Sequence, residues 1–277
     1  MIPAAFEYVR VSSVDEAVAA LGEHGDEAKL LAGGHSLLPL MKLRLAFPSV
    51  LIDVGRVQEL DFVREDGDQL VIGALTCHSE LARNDLVRQD APLLARAASL
   101  IGDPQVRHRG TIGGSLAHGD PASDLPAVVL ALGATLVAQG PAGTREIAAD
   151  DMFRGFLETA LAEDELLTEI RLPKSSGLGW SYQKFTRRSQ DWAIVAVAAV
   201  TGDGHPPAVT LVNMGTRPLR AGATEAALAS GTSVADAAAL AAEGTEPSSD
   251  LAGSADYRRH LATVLTRRAL EEAQSRP

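Results

Sequence analysis

The sequence predicts an α+β protein whose 277 residues fall into three parts. Helical and strand patterns alternate up to about residue 55, which indicates a small α/β unit. A second series of strands and helices occupies 56–175. The run 174–179 contains two serines and two glycines, the composition of a linker, and alanine-rich helical patterns follow it. We therefore expect a first domain at 1–175, made of two subdomains, and a C-terminal α+β domain at 178–277.

The first unit is predicted from a helix start and two apolar runs. Ser13 with Glu16 three residues later forms a capping box, and apolar residues then repeat at helical spacing. Short buried strands are expected at 29–32 and 50–54. Between them, 37–45 fits either a short helix or a turn, so this unit has the mixed order of an α/β fold.

The other two parts are predicted from short apolar runs separated by turn residues. In the second unit we expect strands at 69–75, 134–138 and 165–173, and helices at about 78–84, at 91–101 and from near Leu125. In the C-terminal domain we expect strands at 180–185 and 209–212, and helices at about 223–230, 234–243 and 255–274. The apolar run 194–200 fits either a strand or a buried helix.

Composition and charge exclude several classes of protein. With 46% hydrophobic and 22% charged residues, the chain has the make-up of an ordinary globular protein. The formal net charge of −11 argues against a nucleic-acid partner, because phosphate backbones require a basic surface. No apolar run reaches the roughly 18 residues of a membrane span, and the first residues lack a secretory signal. We expect a cytoplasmic protein and leave open an association with the inner face of the membrane.

The cysteine and histidine content excludes some metal chemistry. The single cysteine, Cys77, cannot form an internal disulfide or a four-thiolate iron–sulfur cluster within this chain, and we interpret it as a small buried apolar residue. The seven histidines lack the close spacing of a zinc site, so no metal site is predicted. His35 and His118 lie in glycine-rich stretches, either as ligand contacts or as loop histidines bonded to backbone.

Two glycine-rich segments carry the strongest functional signal. Ala32-Gly33-Gly34-His35-Ser36 and Thr111-Ile112-Gly113-Gly114-Ser115 each place a serine within two residues of a glycine pair. Glycine pairs permit φ > 0 and a close approach to a ligand, and successive N–H groups in such turns bind anions. Two such turns predict one extended anion, such as a pyrophosphate. A Cβ at Gly33 or Gly113 would then strike it or require a disallowed φ.

Other side chains near these segments have more than one interpretation. Phosphates would repel Asp120 and Asp124, so a ribose hydroxyl or a ring N–H suits them better; Asp124 could instead cap the helix near Leu125. Trp192 could stack on a planar ring or pack in the core. Arg107-His108-Arg109 could steer an anionic cofactor, pair with a partner subunit or remain solvated. Neither G-x-G-x-x-G nor the P-loop motif occurs.

The two glycine segments, with Leu38-Pro39 after the first and Ala117 to Asp124 after the second, resemble the FAD-binding medium subunits of molybdenum hydroxylases. Within that family the medium subunits of aerobic carbon monoxide dehydrogenases are the most similar, and the likeness covers nearly the whole chain. It implies an FAD-binding fold of the vanillyl-alcohol-oxidase type up to about residue 175. Beyond that it implies a three-stranded antiparallel sheet with helices.

The resemblance also implies which residues hold the cofactor. The two glycine segments would hold the pyrophosphate, Asp124 and Leu167 would lie near the flavin ring, Lys184 would contact the cofactor, and Trp192 would lie over the flavin. No catalytic side chain is expected, because the redox chemistry belongs to the flavin. The expected FAD-binding residues are Ala32, Gly33, Gly34, His35, Ser36, Leu37, Thr111, Gly113, Gly114, Ser115, His118, Asp120, Asp124, Leu167, Lys184 and Trp192.

The implied function is that of an electron-exit subunit in a heterotrimer. A molybdopterin-containing large subunit would oxidise the substrate, and a small subunit with two iron–sulfur clusters would relay electrons. This chain would pass them from FAD to an external acceptor, with quinone, NAD and oxygen as candidates. A dimer of heterotrimers is expected. The alternatives are a self-contained flavin oxidoreductase with its own substrate site and a cofactor-free scaffold.

Overall fold

The computed structural model describes residues 2–202 and 204–276. Its first unit is a three-stranded parallel sheet with helices, in strand order β1-β3-β2. Glu7 and Ala28 both pair with Val50 of the central strand. The elements are β1 (Glu7–Arg10), α1 (Val14–His24), β2 (Ala28–Leu31), α2 (Leu37–Lys42) and β3 (Val50–Asp53), with 3₁₀ turns at Gly25–Glu27 and Gln58–Leu60.

Helix α1 begins where the sequence predicts it. Ser13 Oγ accepts a hydrogen bond from the Glu16 N–H at 3.1 Å, which satisfies one of the unpaired amides of the first turn. The Glu16 carboxylate accepts from the N–H and hydroxyl of Ser12 at 2.7 and 2.8 Å, one residue further back than a capping box requires. Gly25, at φ 55°, ends the helix and donates to the Leu21 carbonyl.

The second unit is a five-stranded antiparallel sheet covered by helices, in strand order β4-β5-β10-β6-β7. A separate hairpin pairs β8 with β9. The elements are β4 (Val63–Asp66), β5 (Gln69–Gly73), α3 (His78–Arg83), α4 (Asp85–Asp90), α5 (Pro92–Ser99), α6 (Pro104–Arg107), α7 (Ile112–His118), α8 (Asp124–Ala131), β6 (Thr135–Gly140), β7 (Gly143–Ala148), α9 (Ala149–Met152), β8 (Phe153–Gly155), β9 (Glu158–Thr159) and β10 (Leu166–Pro173).

The C-terminal part is an antiparallel sheet in strand order β11-β12-β13-β14 with three helices. The run 194–200 belongs to a strand, which decides between the two predicted alternatives. The elements are β11 (Gly179–Phe185), β12 (Val195–Gly202), β13 (His205–Val212), β14 (Leu219–Arg220), α10 (Gly222–Ala229), α11 (Val234–Ala239) and α12 (Ala255–Ser275).

Helix α8 lies at the centre of the core. All of its residues are buried, including Asp124 at its first position, as suits a helix that is apolar on every side. One face of the C-terminal sheet packs on α5 and α8. The opposite face, with Val197 and Leu211, packs under α12. Strand β11 is therefore held between the second unit and the last helix.

The α+β fold class is confirmed, and two local expectations are wrong. The second glycine segment lies in a helix rather than a turn, because Gly113 and Gly114 belong to α7. Several elements were not predicted, among them β1, β4, α4, α6 and β7. The C-terminal sheet has a fourth short strand, Leu219–Arg220, instead of three strands. The division of the chain at 175 and 178 stays a prediction.

The two glycine segments meet at Gly33. A Cβ on this residue would lie 2.1 Å from the Arg109 carbonyl oxygen and 2.9 Å from Gly110 Cα, so only glycine permits this approach of two backbones. We expect Gly33→Ala to lower the free energy of unfolding by about 2–3 kcal/mol, since the backbones must separate. Denaturant unfolding measures the change.

The matched control is Gly22→Ala in α1. Gly22 is exposed, and its added Cβ would meet no atom within 4 Å. This change should raise stability by about 0.5–1 kcal/mol, because alanine is the better helix former. Equal effects of the two substitutions would contradict the importance of the contact at Gly33.

Candidate functional site

A cavity of about 610 Å³ opens where the three parts of the chain meet. The first unit contributes 28–37, the second contributes residues from α7, the start of α8 and β10, and the C-terminal domain contributes Lys184 and 190–192. This volume lies within the usual range for cofactor and small-molecule sites. Because its walls come from all three parts, their packing decides its shape.

The structure brings fifteen of the sixteen predicted site residues together in this cavity. The exception is Asp120, which does not line it. Asp120 Oδ1 accepts a hydrogen bond from the Ala122 N–H at 2.8 Å, and its carbonyl accepts from the Ser123 N–H at 3.0 Å. These are bonds of a local turn. The residues that line the cavity are Ala32, Gly33, Gly34, His35, Ser36, Leu37, Thr111, Gly113, Gly114, Ser115, His118, Asp124, Leu167, Lys184 and Trp192.

The first glycine segment presents unpaired amides to the cavity. Within the described part of the chain, the N–H groups of Gly33, Gly34, His35 and Ser36 donate no hydrogen bond. Gly34 has φ 75°, a left-handed conformation that turns the chain between β2 and α2. Consecutive unpaired N–H groups around such a residue form an anion-binding concavity. This segment therefore has the backbone geometry that the predicted anion turn requires.

The second glycine segment has a different structure, and the expectation of a matching turn is wrong. The amides of 112–115 are already paired within the protein, and a Cβ on Gly113 would lie 2.6 Å from Ala74 rather than against a ligand. This segment therefore offers hydroxyl groups instead of amides. The acceptors for residues 112 to 115, in order, are Thr76 O at 3.0 Å, Ala74 O at 2.8 Å, Thr111 Oγ1 at 3.1 Å and Thr111 O at 3.1 Å.

A buried ion pair forms part of the cavity wall. Asp124 Oδ2 accepts from Lys184 Nζ at 2.8 Å, and both side chains are only 7% exposed. Asp124 Oδ1 accepts from the buried Tyr182 hydroxyl at 2.5 Å, and Lys184 also donates to the Leu100 carbonyl at 3.2 Å. Burial raises the pKa of the Asp124 carboxyl, and its bonds with Lys184 and Tyr182 oppose that effect.

The capping interpretation of Asp124 is wrong. Ser123 is the N-cap of α8, and no side chain makes a cap hydrogen bond there. The Asp124 carboxylate instead bonds to two residues of β11, about sixty positions away. Such distant partners leave no local signal in the sequence, which explains why a cap was the expected alternative.

Trp192 lies at the cavity in the segment between β11 and β12. The residue is 58% exposed, so the core-packing alternative is wrong. Gln190 and Asp191 line the same wall, and Asp191 accepts from Arg188 at 3.1 Å. An exposed indole on a cavity wall is suited to contact with a planar ring.

His78 is a cavity residue that the sequence analysis missed. It begins α3, is 3% exposed, and places Nε2 3.3 Å from Ser115 Oγ. Burial lowers its pKa to about 4, helped by His35 and Arg107, so the imidazole is neutral at neutral pH. No motif surrounds position 78, and only the fold brings it to the second glycine segment.

Several other candidates have structural partners. Arg107 donates to the carbonyls of Ile101 and Gly102 at 2.9 and 3.0 Å, so it is not simply a solvated cation. Cys77 is half-buried rather than buried.

In 2–202 and 204–276 no cluster of His, Cys, Asp or Glu is suited to a metal ion, and no helix could cross a membrane.

Comparison with known families matches almost the entire chain. The family described as FAD binding domain in molybdopterin dehydrogenase matches 4–175. The family described as CO dehydrogenase flavoprotein C-terminal domain matches 180–273. The first match covers the two glycine segments, and the second covers Lys184 and Trp192.

Individual relatives match over their full length. The carbon monoxide dehydrogenase medium chain of Hydrogenophaga pseudoflava is 45% identical and covers 100% of this chain and 99% of its own. A 6-hydroxypseudooxynicotine dehydrogenase complex subunit alpha from Paenarthrobacter nicotinovorans is 36% identical, with 100% and 97% covered. A solved carbon monoxide dehydrogenase from Hydrogenophaga pseudoflava superimposes with a TM-score of 0.96 at 47% identity, covering 100% and 99%.

The ion pair generates a stability prediction. Lys184→Met leaves the buried Asp124 carboxylate without its cation, and we expect a loss of about 3–5 kcal/mol. Adding Asp124→Asn should recover most of that loss, because the amide carries no charge. Denaturant unfolding at pH 7 measures both variants. Arg267→Met, which removes an exposed pair with Glu271, is the control and should cost below about 1 kcal/mol. A Lys184→Met loss no larger than this would contradict the prediction.

The lowered pKa of His78 predicts an acid-sensitive fold. Between its ordinary pKa of 6.5 and its folded value of about 4, the unfolded chain binds a proton that the folded chain does not. The contribution of His78 to the free energy of unfolding is therefore fully present above pH 6.5 and is lost as the pH falls towards 4. From pH 7.5 to 4.5 the wild type should lose roughly 2 kcal/mol more than His78→Gln, which cannot titrate. Urea unfolding at constant ionic strength tests this, and equal losses would refute it.

Proposed function

This chain belongs to the family of FAD-binding medium subunits of molybdenum hydroxylases, and we propose that it is the electron-exit subunit of such an enzyme. It would accept electrons from iron–sulfur clusters in a small partner subunit and deliver them to an external acceptor. A large partner subunit with molybdopterin would oxidise the substrate. FAD, when bound, supplies the redox chemistry, and the chain supplies binding and orientation.

The cavity fits an FAD molecule. The observation that carries the proposal is the row of unpaired amides at 33–36, which suits the pyrophosphate. Ser115 lines the same cavity, and we assign its hydroxyl as the second donor for phosphate oxygens. Trp192 supplies an exposed aromatic surface for a planar ring. One cavity thus combines an anion-binding region with an aromatic surface, as a flavin dinucleotide requires.

We assign the remaining lining residues to the flavin end of the site. Asp124, Lys184 and Leu167 come from three different elements and line the same cavity. The Asp124 carboxylate keeps acceptor capacity beyond its bonds to Tyr182 and Lys184, so it suits a ring N–H or a ribityl hydroxyl. Asp120 is not included, because it does not line the cavity. No side chain in this set is assigned proton transfer.

The substrate would be selected in the large subunit. Relatives that match over almost their full length are named for carbon monoxide and for 6-hydroxypseudooxynicotine, so we infer that the medium chain itself does not distinguish these substrates. The greater identity favours carbon monoxide dehydrogenase for this chain. We further propose a dimer of heterotrimers located in the cytoplasm.

Purification of the chain alone tests the function. We expect a stoichiometric flavin spectrum and no iron, since Cys77 is its single cysteine. Anaerobic mixing with carbon monoxide or 6-hydroxypseudooxynicotine should leave the flavin oxidised. The same substrate should reduce it once the matching large and small subunits are added. Reduction of the isolated chain would support the self-contained oxidoreductase, and stoichiometric iron or absent flavin would refute the proposal.

A further inference from the structure

We propose that His78 is a positioning residue for the FAD pyrophosphate, acting through Ser115. Its Nε2–H donates to Ser115 Oγ, so that the Ser115 hydroxyl proton points into the cavity and donates to a phosphate oxygen. This inference rests on the proposed FAD site. It assigns a role to a buried histidine that lies outside both glycine segments.

The Ser115 hydroxyl is the donor with which this part of α7 can reach an anion. The amides of 112–115 are all paired within the protein. Ser115 is half-buried and lines the cavity, and the hydrogen bond of its hydroxyl within the described chain is the 3.3 Å contact with His78 Nε2. The direction of that bond therefore decides whether the hydroxyl donates to a ligand or to the imidazole.

The environment of His78 determines the direction. Nδ1 is buried and has no hydrogen-bond partner in the described chain. A buried N–H without a partner is rarer in proteins than a buried acceptor without one, so the proton of the neutral ring belongs on Nε2. Ser115 Oγ then accepts from the imidazole, and its own proton is available for an acceptor in the cavity.

The imidazole is fixed in place by its backbone contacts. The backbone N–H of His78 donates to the Gly110 carbonyl at 3.0 Å. The neighbouring Cys77 forms an isolated antiparallel β-bridge with Thr111. A Cβ at Gly110 would lie 2.8 Å from the imidazole Nε2, so glycine there leaves room for the ring. The lowered pKa keeps the ring uncharged at neutral pH, which preserves one acceptor and one donor nitrogen. His78 is therefore a positioned donor to Ser115 of the second glycine segment.

A double-mutant cycle tests this role. FAD is titrated into apo-protein at pH 7.5 for the wild type, Ser115→Ala, His78→Leu and the double variant. We expect Ser115→Ala and His78→Leu each to weaken FAD binding about tenfold, the cost of one hydrogen bond. The double variant should bind like Ser115→Ala alone, because His78 acts through that hydroxyl. His78→Gln retains an N–H donor and should recover most of the affinity.

Two further measurements separate positioning from general damage. Phosphorus NMR of bound FAD should show the same pyrophosphate resonance displaced in Ser115→Ala and His78→Leu, and little displacement in His78→Gln. Thermal unfolding of each apo-protein reports the structural cost separately. Additive losses of about a hundredfold in the double variant, or wild-type affinity in His78→Leu, would overturn the role of His78. A wild-type chain that binds no FAD would instead refute the proposed function.

Discussion

The ion pair between Asp124 and Lys184 is the interaction on which the site depends. A carboxylate at the start of a helix that is buried on every side would be costly without a cation and further donors. Lys184 and Tyr182 both supply hydrogen bonds from β11, two residues apart and so on one face of the strand. A slip of one residue would turn both side chains away. The pair therefore fixes the register of β11 against α8 and, with it, the cavity wall.

The sequence patterns correctly predicted those helices and strands that are determined by residues close together in the sequence. The Ser13 cap, the buried strands at 50–53 and 166–173 and the long last helix all follow from residues close in sequence. Contacts over long distances decided the rest. The amide of Gly113 is paired with Ala74, far away in the chain, and this pairing is not visible in the glycine pattern itself. His78 likewise became a candidate only when the fold placed it beside Ser115.

The two glycine segments were recognised from the sequence, but the physical reason for each glycine was not. The glycine segments are recognisable because their sequence resembles a known family, and the structure places both in one cavity. The roles predicted for the individual glycines were correct only in part. Gly34 has the left-handed backbone that an anion turn requires, whereas Gly33 and Gly113 are glycines because another part of the protein lies against them. A glycine pattern alone does not distinguish these causes, since both require the absence of a Cβ.

In the proposed FAD site, this difference would give the cavity two kinds of contact with an anion. The segment at 33–36 offers backbone N–H groups whose directions are set by the turn rather than by side chains. At Ser115 the donor is a hydroxyl, which can rotate, and its direction depends on a neighbour that fixes the proton. The close contact between Gly33 and Arg109 brings these two regions side by side. In the proposed FAD site, binding of the pyrophosphate would therefore depend on a backbone turn on one side and on an oriented side chain on the other.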